Sequence, residues 1–146
     1  MQTRPDYYYR QSAVIPFRQD PKGLEVMLIT TRKRRRWIVP KGIVEPDLAP
    51  GASAAKEAEE EAGIRGRVLP DRLGTYEYEK WGGTCVVEVY AMAVEQVLEH
   101  WPEEFRGREW VAFDEAARRV REPGLAQMIT GLPEILGERV APGRSV

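Results

Sequence analysis

The 146-residue sequence predicts a mixed α/β layer structure, with strands interleaved among a few helices. Three observations carry that prediction. Residues 11–17, QSAVIPF, and 24–31, LEVMLITT, are rich in apolar and β-branched residues and are joined by the turn signal DPKG, which is a hairpin pattern. Residues 84–94, TCVVEVYAMAV, are the strongest strand pattern in the chain. Between them, residues 52–62 are rich in Ala and Glu and stop at Gly63, the pattern of a helix closed by a C-terminal glycine.

The other elements follow in order. WIVPKG (37–42) reads as a short apolar strand ended by Pro and Gly, and the loop GIVEPDLAPG then leads into the helix. RGRVLPDRLGTYEYEKW (65–81) reads as strand and turn, and REWVAF (108–113) as another short strand. DEAARRV (114–120) reads as a helix N-capped by Asp114. EPGLAQMITGLPEIL (122–136) reads as helical beyond its Pro-Gly, with a break near 131–133, and residues 141–146 read as a flexible tail. With no internal repeat and no linker, residues 1–146 are expected to form a single domain.

Composition excludes several classes. Hydrophobic content of 42% and charged content of 31% suit a soluble globular chain. A formal net charge of −1 supplies no global basic field, which argues against nucleic acid as a partner. No apolar stretch approaches the roughly 20 residues of a membrane-spanning helix. The N-terminus, MQTRPDYYYR, lacks the apolar core of a signal peptide. One cysteine, Cys85, allows no intramolecular disulfide and suits a reducing compartment; within its apolar strand it reads as core. The expectation is a cytoplasmic monomer or homodimer. His100, the single histidine, excludes a histidine-cluster metal site and reads as a loop residue. Trp37, Tyr76, Tyr78 and Trp81 read as core or sheet-surface packing, with stacking on a base as the alternative.

Charge is nevertheless unevenly placed. RKRRRW (32–37) is a basic run, and KEAEEEAGI (56–64) sets four glutamates into five consecutive positions. Like charges at i and i+4 destabilise a helix by about 0.2–0.5 kcal/mol per pair, and its C-terminal turn is the end where the dipole disfavours anions. Folding does not ask for this arrangement. At about 100° per residue, Glu57, Glu60 and Glu61 fall on one stripe and Glu59 on the other side. Three carboxylates on one face suit a hard cation such as Mg²⁺ or Mn²⁺, which would reverse their repulsion. Taken alone, EAEEEAG is also compatible with a solvated helix face.

The stretch Gly42–Ile64, GIVEPDLAPGASAAKEAEEEAGI, resembles the signature of the Nudix hydrolase superfamily: Gly, five residues, Glu, seven residues, then Arg-Glu-hydrophobe-x-Glu-Glu-x-Gly-hydrophobe. Gly42 matches the first glycine, EAEEEAGI matches the end without a gap, and the spacing between them is that of the family. WIVPKG is the usual lead-in. Two positions depart: Leu48 stands at the first glutamate and Lys56 at the arginine. Leucine binds no metal, and lysine lacks the planar fork that grips carboxylates bidentately. These departures place rate and metal geometry in question more than reaction type. Glu45, three residues before Leu48, is a candidate for compensation.

The resemblance implies a mixed β-sheet sandwiched between α-helices and hydrolysis of a diphosphate bond. The implied metal ligands are Glu57, Glu60, Glu61 and the carbonyl of Gly42, with Mg²⁺ or Mn²⁺ as cofactor. Glu57, Glu60, Glu61 and Glu104 are the candidate catalytic residues; the outer general base is sought in WPEEF (101–105), at Glu103 or Glu104. Lys41 is a candidate phosphate contact. WPEEFRGREWVAFDEAARRVREPGL (101–125), RQSAVIPFR (10–18) and RRRWIVPKGIVEP (34–46) add a weaker resemblance to the diadenosine polyphosphate and diphosphoinositol polyphosphate hydrolase branch. Its substrates are small, highly phosphorylated molecules, which makes Arg10, Arg18 and Arg35 candidate substrate contacts, with Arg34, Arg36, Arg106 and Arg108 behind them. Dinucleoside polyphosphates lead, followed by inositol pyrophosphates. Two rivals stand beside this reading. One is a binding or regulatory protein on a weakened scaffold, motivated by Leu48 and Lys56, and the other is an RNA 5′-end pyrophosphohydrolase.

Overall fold

A computed structural model of the protein describes residues 1–140; the tail expected at 141–146 lies outside the described residues. The first hairpin forms as the sequence predicts. Strands β1 (Arg10–Asp20) and β2 (Gly23–Thr30) pair antiparallel, with Phe17 opposite Val26. The Asp20 side chain accepts the Lys22 backbone N–H at 2.8 Å and so closes the turn locally.

Six further strands complete the sheet among the described residues: β3 (Trp37–Ile38), β4 (Lys41–Ile43), β5 (Ile64–Val68), β6 (Gly74–Lys80), β7 (Gly83–Val97) and β8 (Arg108–Ala112). The main path runs β3-β2-β1-β7-β5, with β4 on β1, β6 on β7 and β8 on β2. Only β1 and β7 run parallel, so the sheet is mixed. The single strand expected over 37–42 is split in two. Pro40 has no N–H for a ladder and its carbonyl accepts Val14 N–H at 3.2 Å, so the chain changes partner there, from β2 to β1.

Helices cover both faces. On one side lies α1 (Pro50–Ala62); on the other are α2 (Phe113–Arg119), α3 (Pro123–Thr130) and α4 (Leu132–Val140). The period of two along the strands builds this sandwich. Ala13, Ile15 and Phe17 of β1 with Val26 and Leu28 of β2 join Ala116, Leu125, Ile129, Leu132 and Leu136 of the three-helix layer. The intervening Val14, Met27 and Ile29 join Ala54, Ala58 and Ala62 of α1. Those alanines recur every four residues and let the helix lie close against the sheet. Helix α1 starts two residues earlier than expected, because proline is accommodated in the first turn, where its missing N–H has no partner to lose. Asp114 is not an N-cap: α2 starts at Phe113 behind Ala112, with no side-chain cap, and Asp114 lies within the first turn. The break expected near 131–133 separates α3 from α4 at Gly131.

Candidate active site

The acidic face of α1 is set by its alanine stripe. Glu57 and Glu61 follow Ala54 and Ala58 by three residues, so they sit at the flank of the buried face, toward β4. Ser53, fully buried, donates to the Ile43 carbonyl and accepts the Glu45 N–H, both at 3.2 Å, and thereby ties the end of β4 to the helix. Gly42 then lies directly against the Glu57 carboxylate, where a Cβ would collide with Glu57 Cδ and Oε2. The preceding backbone N–H, that of Lys41, donates to Glu61 Oε1 at 3.3 Å.

The Glu57 and Glu61 carboxyls are hydrogen-bonding neighbours. Burial, followed by the hydrogen bond and charge of Glu57, pushes the Glu61 carboxyl up to about 8, against the pull of Arg106 and the Lys41 N–H. Glu57 is also raised, chiefly by burial and then by Glu60, Glu103 and Glu45, while its hydrogen bond from Glu61 lowers it. Glu60 stays at the rim, near enough to raise Glu57 and to favour the charged form of Lys56.

The far end of α1 explains how four glutamates are held at a helix C-terminus. Gly63, with φ of 65°, closes the helix and returns its N–H to the Glu59 carbonyl at 3.1 Å. The segment from Leu98 to Arg108 caps the remaining carbonyls. Glu103 N–H donates to Glu60 O at 3.0 Å, Trp101 Nε1 to Glu61 O at 3.0 Å, and Arg108 Nη1 to Ala62 O at 2.8 Å. The Arg108 guanidinium also stacks on Trp101, 3.8 Å from the ring centroid, and places a positive charge at the negative end of the helix.

This clamp decides between the neighbouring acids of WPEEF. Glu103 faces the cleft beside Glu57 and Glu61, while Glu104 turns out to His100, 3.1 Å away. Glu103 is held by Arg106, whose Nε and Nη2 lie 2.9 and 2.8 Å from its Oε1. Arg106 is buried and donates its remaining arm to the Thr30 carbonyl at 2.9 Å.

The cleft, of about 330 Å³, is walled by Glu57, Glu61, Gly42, Lys41, Tyr78 and Glu103. Lys41 Nζ lies 2.8 Å from Tyr78 Oη and 3.4 Å from Gln11 Oε1, and burial followed by the charge of Lys80 lowers its pKa. A second hollow of about 540 Å³ shares Arg32, Ile38, Lys80 and Arg106 with the first and adds Lys33, Arg35, Arg36 and Arg121. The turn between β2 and β3 fans these arginines outward: Arg34, at φ of 57°, donates its N–H to Thr31 O at 2.8 Å, and Arg35 N–H donates to Thr31 Oγ1 at 3.1 Å.

Of the arginines singled out from the sequence, Arg35, Arg36 and Arg106 line this cleft. Four others do not. Arg34 donates its Nε to the Phe105 carbonyl at 3.1 Å. Arg10 is paired with Glu88 at 2.8 Å, Arg18 with Glu25 at 2.7 Å, and Arg108 caps the helix. Arg121, Lys33 and Lys80 were not singled out; Arg121 is far from the basic run in sequence and only the fold brings it there. Lys56 pairs with Glu45 at 2.9 Å, so the lysine departure has a carboxylate partner, and that partner comes from the loop and not from position 48.

The donor chemistry fits a hard dication: every cleft-facing acid is a carboxylate, and Glu57 and Glu61 are close enough to need a proton or a cation between them. Among the described residues, no three acidic, histidine or cysteine side chains converge at metal-holding separation. Three anions repel one another, and the structure holds a pair, with Glu60 at its edge.

Opposite charges set side by side suit a polyanion and the cation that neutralises it, the pairing that phosphate-handling enzymes use. Comparison with known proteins narrows the class: residues 8–132 match the NUDIX domain, and the chain belongs to the Nudix family. It is 33% identical over 135 residues to Nudix hydrolase 16, mitochondrial, of Arabidopsis thaliana, covering 86% of this chain and 74% of that one. It is 32% identical over 117 residues to diphosphoinositol polyphosphate phosphohydrolase 3-beta of Bos taurus, covering 78% and 70%. A crystal structure of C. elegans Ap4A hydrolase superposes with a TM-score of 0.72 at 18% identity, over 88% of this chain and 98% of that one, which shows the shared fold. The mixed sheet between helices expected from the sequence is the Nudix fold, and the chain is a Nudix hydrolase, an enzyme of diphosphate bonds. Divalent metals are general cofactors of the family. No helix among the described residues is long and apolar enough to cross a membrane.

Proposed function

We propose that this enzyme hydrolyses a phosphoanhydride bond in a small, densely phosphorylated molecule, with an inositol pyrophosphate as the leading substrate and Mg²⁺ or Mn²⁺ as the metal. The observation that carries the reading is the continuity of the acidic cleft with the basic hollow lined by Arg32, Lys33, Arg35, Arg36, Lys80, Arg106 and Arg121. Cations arrayed around a hollow suit phosphates projecting in several directions, and the similarity to the diphosphoinositol polyphosphate phosphohydrolases supports the same substrate class. A dinucleoside polyphosphate, favoured by the sequence reading, is the second reading, supported by Tyr78 and Trp81 in the cleft wall. The lone buried Cys85 supports a reducing, cytoplasmic location.

Glu57, Glu61 and Glu60, with the Gly42 carbonyl, would hold the metal, which supplies charge neutralisation and lowers the pKa of a coordinated water. The chain's own groups do the rest. Lys41, Arg106 and the arginines of the β2–β3 turn fix the phosphates in line for attack. Glu103, steadied by Arg106, accepts the proton of the attacking water. A panel of inositol pyrophosphates, dinucleoside polyphosphates, nucleoside triphosphates and 5′-triphosphorylated RNA, assayed with Mg²⁺ and with Mn²⁺, tests this reading. Phosphate release from the inositol pyrophosphates at the highest kcat/KM is expected. Highest kcat/KM on RNA, or no release from any compound, would overturn it.

A further inference from the structure

The turn between β6 and β7 consists of Trp81 and Gly82, both at positive φ, 53° and 69°. Two central residues of that sign make the tight hairpin turn that Asn, Asp and Gly suit best, and a bulky indole at the first position is unfavourable. Turn chemistry alone would not select tryptophan there. Trp81 lines the cleft that contains Glu57 and Glu61, and Lys80 beside it lines both the cleft and the basic hollow. Among the described residues, no carboxylate pairs with Lys80; its ammonium rests 4.5 Å from the Trp81 ring centroid.

The first nine residues hold this turn in place. The Trp81 carbonyl accepts Thr3 N–H at 2.9 Å, Thr3 Oγ1 at 3.2 Å and the Tyr9 phenol at 2.5 Å. Tyr9 Oη in turn accepts the N–H groups of Thr3 and Arg4, at 3.2 and 3.3 Å. The rings of Tyr8 and Tyr9 meet the indole edge-on, with centroids 5.3 and 6.1 Å away. Thr3 and Arg4 precede the residues matched to the family, 8–132. Three hydrogen bonds to one turn carbonyl, two aromatic edges and an indole in an unfavourable conformation are more than closing a two-residue turn requires.

We infer that the Lys80–Trp81 turn, braced by the N-terminal segment, is a phosphate-positioning element of the cleft: Trp81 is a positioning residue that holds the Lys80 ammonium where it meets the substrate's phosphates. An ammonium on an exposed four-carbon stem would otherwise sample many rotamers, and an indole face beneath it removes that freedom before the substrate arrives. This rests on the reading of the cleft as a polyphosphate site and identifies residues within it.

Calorimetric titration of the full chain with inorganic tripolyphosphate tests the inference without requiring turnover. Trp81→Asn suits the turn, and thermal denaturation is expected to show it folded and no less stable than the parent. Its Kd for tripolyphosphate is expected to rise about tenfold. Lys80→Met is expected to match it, the Lys80→Met, Trp81→Asn double variant to be no weaker than Lys80→Met alone, and Trp81→Phe to keep most of the affinity. An unchanged Kd for Trp81→Asn, additive effects in the double variant, or no binding by the parent protein would overturn the inference. A parent that binds tripolyphosphate but hydrolyses nothing in the substrate panel would overturn the proposed activity and leave this assignment standing.

Discussion

In the acidic cleft, Glu57 and Glu61 are sunk against β4 as hydrogen-bonding neighbours; in the adjoining hollow, Arg32, Lys33 and Arg35 fan out into solvent from a tight turn. Both concentrate like charge, and on the acidic side the Glu61 carboxyl is pushed up to about 8. Burial makes the difference, because it removes the water that screens like charges from each other. The acidic wall must be neutralised to be filled with charge. The basic wall can remain charged and wait for an anion. Arginines show the same contrast in miniature. Arg108 and Arg106 are locked into backbone carbonyls and a buried ion pair, whereas Arg10 and Arg18 lie on the surface with partners that water could replace.

The largest expected effect comes from the acidic wall. Glu61→Gln should lower kcat on the order of 10²–10⁴-fold, while melting temperature at pH 8 stays level or rises, since a buried charge is gone. A variant retaining full turnover would remove the acidic wall from the chemistry. Next come the adjacent acids of the clamp. Glu103→Gln should reduce kcat by about 100-fold, the lower end for a general base, and Glu104→Gln should leave it unchanged; equal losses would show that the clamp does not distinguish them.

The arginine contrast is tested by stability. Arg108→Met strips donors from Ala62 O, Gly63 O and Leu98 O and should cost about 2–4 kcal/mol by urea denaturation. Arg10→Met should stay within about 0.5 kcal/mol. Comparable losses for both would erase the difference between helix-capping and surface arginine.

A smaller effect is expected from pH. Glu61 has its carboxyl pushed up to about 8 in the folded chain against 4.5 for an ordinary glutamate, so the folded state binds more protons between those values. Its contribution to stability is present below about 4.5 and is lost as pH rises through about 8. Without metal, the melting temperature should therefore fall from pH 5 to pH 8, and Glu61→Gln should flatten that slope. A slope that persists in Glu61→Gln would assign it to other groups.

Much of the fold was legible because it depends on local patterns. The hairpin at DPKG, the strands over 11–17 and 84–94, the helix ending at Gly63 and the break before Leu132 all follow from alternation, turn residues and caps. What was missed depended on partners distant in sequence. Pro40 splits one strand into two because β1 and β2 compete for the segment, and Asp114 misses the cap because β8 hands the chain to α2 one residue earlier. In the candidate site, the shared face of Glu57 and Glu61 was readable from helical spacing, and Gly42 was singled out by the resemblance of 42–64 to the Nudix signature. That Glu103 and not Glu104 faces the cleft, and that Arg106 and Arg121 and not Arg10 and Arg18 line the hollow, was not readable.

By itself, the sequence determined that a helix would carry its acids on one stripe and that this stripe would follow Gly42 at a set distance, because both are properties of a continuous stretch of chain. Only the tertiary structure decided which charges share a cleft and which are spent on one another. That outcome depends on burial and on carbonyls left open at the end of α1, and neither exists until the sheet, the helix and the segment from Leu98 to Arg108 have closed around the same space.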